Sequence, residues 1–143
     1  MIVDNFKLTG KLKIELNDEV VAEVPNIVVS DGKDFVASRM KDTTDSAMSH
    51  MAIGTGSTAA AASDSALGSE LSGSRTALTS TTVTDNDIVY VATFGAGTGT
   101  GAVTEAGIFN ASSGGTMLCR TVFSVVNKGS ADSMTITWTV TVS

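Results

Sequence analysis

The segment MTITWTVTV, residues 134–142, alternates strictly between apolar and polar side chains. Its apolar positions are Met134, Ile136, Trp138, Val140 and Val142, and four threonines lie between them. Successive side chains of a β-strand point to opposite faces, so one face of this segment is apolar and the other carries only threonine. The segment therefore predicts a long strand with one buried face and one wet face.

Runs of the same character precede this segment and are separated by turns rich in Gly, Asn and Ser. They are RTALTSTTVTD (75–85), IVYVATF (88–94), AVTEAGIF (102–109) and MLCRTVFSVV (117–126). The chain shows no repeated alternation of strand and helix, which disfavours a parallel α/β sheet. The pattern predicts a mainly β protein, built as an antiparallel β-sandwich or barrel.

The N-terminal third adds a hairpin and one helix to this prediction. The runs KLTGKLKIEL (7–16) and VVAEV (20–24) flank the turn NDE, and NIVVS (26–30) predicts a further short strand. The run DGKDFVASRMKD (31–42) predicts a short helix near residues 33–41, with Asp31 as its N-terminal cap. We expect this helix to lie over one end of the sheets.

The small and polar residues 57–71 include an alanine tract, but Ser, Thr and Gly flank it. We interpret them as a loop along the surface. We expect a single β-rich domain over residues 1–143. Its predicted parts are an N-terminal hairpin and strand (1–30), the short helix (31–42) and the main antiparallel region (47–143).

Charge and composition argue against several classes of partner. The net charge is −6 and charged residues make up 17% of the chain, an acidic surface that repels phosphate backbones and lacks a basic cluster for anionic lipid. The N-terminus has no signal-peptide pattern, and no apolar run approaches the ~20 residues of a membrane span. We therefore expect a protein made in a cytoplasm, with neither nucleic acid nor membrane as its partner.

Motifs that carry chemistry are few. Cys119 is the only cysteine and His50 the only histidine, which argues against a disulfide framework, a zinc site and a hydrolytic triad. The residues 54–59 match GxGxxA, but without a surrounding βαβ unit we interpret them as a loop. The acidic turns around Asp31, Asp34, Asp85 and Asp87 lack the spacing of a calcium loop. We predict no catalytic residue, no cofactor and no metal.

Glu105 is a carboxylate in the middle of an apolar run, AVTEAGIFN (102–110), and this position needs an explanation. In a hairpin centred on the turn NASSGG, residues equidistant from the turn face each other, which pairs Glu105 directly with Arg120. A glycosidase-like role needs a second acid nearby, and no sequence neighbour supplies one. The sequence therefore predicts a structural cross-strand ion pair between Glu105 and Arg120.

The order of three segments, HMAIGTGSTAAAASDSALGSEL, VTEAGIFNASSGGTMLCRTVF and KGSADSMTITWTVTVS, resembles small virion proteins of tailed bacteriophages. It is similar, more distantly, to domains of the tail-collar fibre type. The preceding NIVVSDGKDFVASRMK also looks like the lead-in of such proteins, so the resemblance covers most of residues 26–143. It implies roles as fold determinants for Gly54, Gly56, Glu105, Gly107, Phe109 and Arg120.

The resemblance implies a non-enzymatic structural protein of a phage virion, made in the host cytoplasm. The chain ends at Ser143, directly after its last predicted strand, which suits a decoration or cement protein outside the capsid. The partners implied are the major capsid protein lattice or other virion proteins, and a homotrimer. Two alternatives remain: a tail fibre, collar or baseplate component, and a β-sandwich module whose glycine loops bind a carbohydrate or an ion.

Overall fold

The structure, a computed structural model, describes residues 6–143 and consists of two five-stranded antiparallel sheets. Its elements are β1 (Leu8–Leu16), β2 (Glu19–Pro25), β3 (Ile27–Val28), α1 (Ser30–Lys41), β4 (His50–Gly54), β5 (Thr76–Ala77), β6 (Ser80–Thr84), β7 (Asp87–Phe94), β8 (Gly101–Phe109), β9 (Met117–Lys128) and β10 (Met134–Val142). The first sheet has the order β2-β1-β10-β7-β6 and the second β3-β9-β8-β4-β5. The expected mainly β, antiparallel class with one short helix is confirmed.

Strand β10 lies at the centre of the first sheet, between β1 and β7. Its side chains at Met134, Ile136 and Trp138 are fully buried, and the threonines between them are half-buried on the opposite face. The buried side chains pack against the inner face of the second sheet, which contributes residues such as Ile53 and Ile108. The alternation in residues 134–142 thus separates the core of the sandwich from its outer surface.

The chain crosses from one sheet to the other at both lateral sides of the sandwich. Strand β2 leads into β3 through Asn26, and β5 leads into β6 through Leu78 and Thr79. Residues 75–85, expected to form one strand, are therefore split between the two sheets. The backbone N–H of Leu78 binds the carbonyl of Ser49, whereas that of Thr79 binds the carbonyl of Val91, so the hydrogen-bonding neighbour changes within one residue.

Helix α1 packs on β9 but does not use the predicted cap. It begins at Ser30, one residue before Asp31, and its N-cap is Val29, whose side chain cannot accept a hydrogen bond. Asp31 lies in the first turn instead, where its negative charge interacts favourably with the positive end of the helix dipole. Gly32 is the only buried residue of the helix and faces the carbonyl oxygen of Leu118 on β9.

Replacement of Gly32 by alanine should destabilise the protein, although alanine is the better helix former. An added methyl group at this position overlaps the Leu118 backbone, which has no rotamer with which to move aside. We expect a loss of about 1–3 kcal/mol in the free energy of unfolding, the usual cost of overpacking, measured by urea denaturation. The control is alanine at the exposed neighbour Lys33; equal stability of the two variants would contradict the close approach.

The outer faces of the two sheets differ. Within residues 6–143, that of the first sheet is a plain strand surface, whereas residues 55–75, here called the covering segment, lie over that of the second sheet. Helix α1 packs against β9 and contacts the core between the sheets through Phe35 and Val36. A small apolar cluster beneath the covering segment consists of Val29, Ala52, Leu67, Phe109 and Met117. Residues 57–71 contain no helix, in agreement with their interpretation as a surface loop.

Candidate functional site

Glu105, on β8, is completely buried under the covering segment and binds its backbone. Its Oε2 atom accepts hydrogen bonds from the N–H groups of Gly56 and Ser69, both at 2.7 Å, and its Oε1 atom accepts one from Gly68, also at 2.7 Å. These donors lie 36 to 49 residues before Glu105 in the chain. A single carboxylate therefore holds two separate turns of the covering segment against the sheet.

Arg120, on β9, completes the site from the neighbouring strand. Its Nε and a terminal nitrogen both lie 3.0 Å from Oε1 of Glu105, and its other terminal nitrogen lies 2.8 Å from Oδ2 of Asp64. The guanidinium also donates a hydrogen bond to the backbone oxygen of Thr58 at 3.0 Å. Glu105 and Arg120 thus bind each other and together hold the covering segment. They bind its backbone at Gly56, Thr58, Gly68 and Ser69 and the side chain of Asp64.

The predicted register of this ion pair is wrong by one diagonal step. Arg120 faces Gly107 across the ladder, and Glu105 faces Val122. One residue of this two-residue displacement comes from a bulge, because Ile108 faces Cys119 while Phe109 faces Met117, which leaves Leu118 as an extra residue. The other comes from the turn, since Asn110 binds Thr116, whereas a hairpin centred on NASSGG would pair it with Gly115. The two charged side chains therefore meet along the diagonal of the sheet, a distance that a long arginine side chain spans.

The glycines at 54 and 56 are explained by this carboxylate rather than by a nucleotide. A methyl group at Gly54 would overlap the carbonyl oxygen of Ser69 and lie 2.6 Å from Oε2 of Glu105, and one at Gly56 would overlap that carboxylate oxygen. No helix begins after Gly56, as a dinucleotide-binding turn requires. The GxGxxA match is therefore explained by the close approach of the backbone at Gly54 and Gly56 to the side chain of Glu105.

The two remaining residues of the resemblance lie beside the same site. A methyl group at Gly107 would lie 3.0 Å from a side-chain carbon of Leu67, so glycine here lets the covering segment approach β8. The ring of Phe109 stacks under the guanidinium of Arg75, which lies 3.7 Å from the ring centroid. All six residues selected from the sequence therefore belong to one attachment between the second sheet and its covering segment.

Three contributors to the site were not found from the sequence. They are Asp64, which binds Arg120, and the pair formed by Arg75 and Glu70, whose closest atoms are 2.7 Å apart. Arg75 also donates hydrogen bonds to the carbonyl oxygens of Ala111 and Gly114 in the β8–β9 turn. Of these three, only Arg75 stands out in the sequence, since it is the sole lysine or arginine between Lys41 and Arg120.

The electrostatics of the site favour the ionised form of the Glu105 carboxylate. Burial alone would raise the pKa of Glu105, but the N–H groups of Ser69, Gly68 and Gly56 and the Arg120 guanidinium together hold it below its ordinary value. Both carboxylate oxygens are occupied by these donors and neither reaches solvent. Such a group positions the backbone and has no free lone pair directed at a substrate.

Protonation of Glu105 should therefore lower the free energy of unfolding in acid. A carboxyl whose pKa is depressed in the folded state contributes fully above its unfolded value, here 4.5, and loses that contribution as the pH falls through the lower folded value. We expect the stability advantage of the wild type over Glu105→Gln to be constant at neutral pH and to shrink below about pH 4.5, measured by urea denaturation. An advantage that stays constant down to pH 3 would contradict the depressed pKa.

His50, Cys119 and Asp87 lie away from this site. Nδ1 of His50 lies 2.8 Å from the hydroxyl of Ser49, and no carboxylate in the described part of the chain completes a triad with this pair. Cys119 is fully buried, and burial raises the pKa of its thiol well above the ordinary value. Asp87 accepts a hydrogen bond from the Thr141 hydroxyl at 2.6 Å, so it fixes the end of β10.

Within residues 6–143, no group of three or more acidic, histidine or cysteine side chains is arranged to hold a metal ion. Within the same residues, no helix is long and apolar enough to span a membrane. Comparisons with known protein families, curated proteins and solved structures find no match.

Proposed function

We propose that this protein is a non-enzymatic structural component of a tailed-bacteriophage virion, and most directly a decoration protein bound to the outside of the capsid. The observation that carries the proposal is the convergence of the six resemblance residues on one buried attachment. Each of them serves to fix a surface segment on a sheet. These contacts give the protein a fixed outer surface, and a fixed surface suits binding to a repeating lattice.

The exposed apolar side chains add support for a role in assembly. Phe6 and Met40 flank a groove between the start of β1 and α1, and Met40 is 85% exposed. Val20 and Val21 lie exposed on the edge strand β2, and Val83 lies exposed on β6. Leu8 and Val36 also line the groove, so its apolar side chains form one contiguous patch, and such exposed patches mark interaction surfaces.

The resemblance also implies a homotrimer and the major capsid lattice as its partner, and both belong to this proposal. The test uses the purified chain and heads of the phage that encodes it, prepared without the chain. Light scattering of the free chain should give three times its 14.6 kDa mass. After mixing and pelleting, the chain should sediment with the heads and saturate at a lattice-like stoichiometry.

The matched control is a preparation of heads that already carry their full complement of the chain, to which no further copies should bind. Free chain that remains in the supernatant with empty heads contradicts decoration. Recovery of a few copies on purified tails would then favour the fibre, collar or baseplate alternative. Stabilisation of the free chain against heat by glycans or calcium would instead favour a ligand-binding module.

A further inference from the structure

The four lateral edges of the two sheets are protected to different degrees. Strands β3 and β5, at the edges of the second sheet, are two residues long and offer almost no free backbone. Strand β2 carries Glu19, Glu23 and Pro25, and its pairing with β1 is interrupted by a bulge. Short strands, charges, proline and bulges are the devices by which proteins prevent strand addition at an edge.

Strand β6, the fourth edge, has none of these devices. Its five residues, Ser80–Thr84, are all exposed, uncharged and free of proline, and four of them are β-branched. Val83 lies across from Ile88, a residue that packs against the core, yet it is 68% exposed. With respect to residues 6–143, this edge therefore offers free backbone groups and an uncovered apolar side chain.

The hairpin fixes which backbone groups are free. Thr84 faces Asp87 across the two-residue turn at 85–86, so these two residues exchange backbone hydrogen bonds. Bonded and non-bonded pairs alternate along an antiparallel ladder, which directs the N–H and C=O groups of Thr82 toward β7. The N–H and C=O groups of Thr81 and Val83 therefore point to the open edge.

We propose that the β6 edge pairs with β6 of a second copy of this chain, antiparallel and about a two-fold axis at Thr82. Thr81 then faces Val83 of the second copy in a bonded pair, and Val83 faces Thr81 of the second copy in another. Every free backbone group of these residues is used, and both Val83 side chains become covered. The first sheet of one copy then joins the first sheet of the other into one continuous sheet of ten strands.

The distribution of charge favours a second copy of this chain as the partner and favours antiparallel over parallel pairing. Two chains of net charge −6 repel each other over most of their surfaces, and β6 is a neutral strip on such a surface. Antiparallel pairing about Thr82 places each Asp85 opposite Thr79 of the second copy, which keeps the two Asp85 side chains roughly 20 Å apart. Parallel pairing would place them side by side.

The size of the contact indicates where it operates. A strand of five residues is ~17 Å long, and pairing two of them buries far less than the ~1,200 Å² of a stable complex. The contact is therefore reversible in dilute solution and strengthens where copies are already concentrated. A two-fold contact cannot close a ring of three, so it links separate assemblies, and it does not depend on the proposed role in a virion.

A cysteine at position 82 tests the register in the full-length chain. In the proposed pair, Thr82 faces itself at a Cα–Cα distance of ~4.5 Å, within disulfide range. The two Thr84 residues are separated by ~13 Å, which excludes a disulfide between them. With concentrated protein and oxidised glutathione, we expect Thr82→Cys to form covalent dimers roughly ten-fold or more faster than Thr84→Cys. Cys119 is buried and does not compete.

A second variant separates specific pairing from chance collisions. Adding Val83→Lys to Thr82→Cys should abolish the rate advantage, because it places a charge on the new edge, while the melting temperature stays the same. Equal cross-linking of the cysteines at 82 and 84 overturns the proposal. A cross-link that persists at full rate in the presence of Val83→Lys overturns it as well.

Discussion

Replacing Glu105 by alanine is expected to lower the free energy of unfolding by about 3–5 kcal/mol, the cost of removing one partner of a buried ion pair. The substitution leaves the guanidinium of Arg120 without its buried counter-charge. It also leaves the N–H groups of Gly56, Gly68 and Ser69 without their acceptor. Urea denaturation at pH 7, with circular dichroism as the signal, measures the loss.

Alanine at Glu23 is the matched control, since this exposed acid on β2 should change stability by less than about 0.5 kcal/mol. A cycle with Arg120→Ala and the double variant then isolates the pair, because the remaining charge is absent when both residues are replaced. We expect the double variant to be more stable than the sum of the single losses predicts, by about 0.5–3 kcal/mol. Strictly additive losses would show that the two side chains act independently.

Replacing Trp138 by alanine should produce a loss of similar size, about 3–5 kcal/mol, through a different mechanism. Trp138 is the largest fully buried side chain and lies on β10 between Leu12 of β1 and Tyr90 of β7. Its removal leaves a cavity that the rigid sheets on either side cannot close. Since this is the only tryptophan, the measurement must use circular dichroism rather than fluorescence.

Alanine at the adjacent Thr137 serves as the control for this variant. Thr137 is half-buried on the outer face of the same strand, so its replacement should change stability by about 1 kcal/mol or less, the range of β propensity. Comparable losses at both positions would contradict the assignment of one face of β10 to the core.

The fold class was predictable because the strands carry their own signal. The alternation in residues 134–142 needs no partner to be recognised, and the observed β10 has the predicted bounds. The hairpin of β1 and β2 was predictable for the same reason. Its turn consists of Asn17 and Asp18, which both adopt the positive φ that a two-residue turn requires. Where the information lies within one strand or one turn, the sequence suffices.

Two features were missed because they depend on distant parts of the chain. The bulge at Leu118 changes the register of β8 and β9 by a single residue, and nothing in the turn sequence distinguishes the two registers. The crossing at Leu78 and Thr79 is fixed by carbonyls of Ser49 and Val91, which approach from different sheets. Both features are properties of the assembled sandwich and leave no periodic trace in the sequence.

The site was predictable only in part for a related reason. Glu105 and Arg120 stood out as charges in apolar strands, because a buried charge requires a partner. The N–H groups that bind Glu105 have no sequence signature, since every residue except proline carries one. The glycines at 54 and 56 were visible, but their purpose became clear only from the position of the carboxylate.

This mode of attachment has a consequence for how the protein can diverge. Glu105 and Arg120 hold the covering segment through backbone groups at Gly56, Thr58, Gly68 and Ser69, and apart from the glycines these contacts do not depend on side-chain identity. The exposed side chains between them, such as Ser57 and Ser65, are thereby uncoupled from the fold. Mutation can therefore change this outer surface while the sandwich beneath retains its sequence.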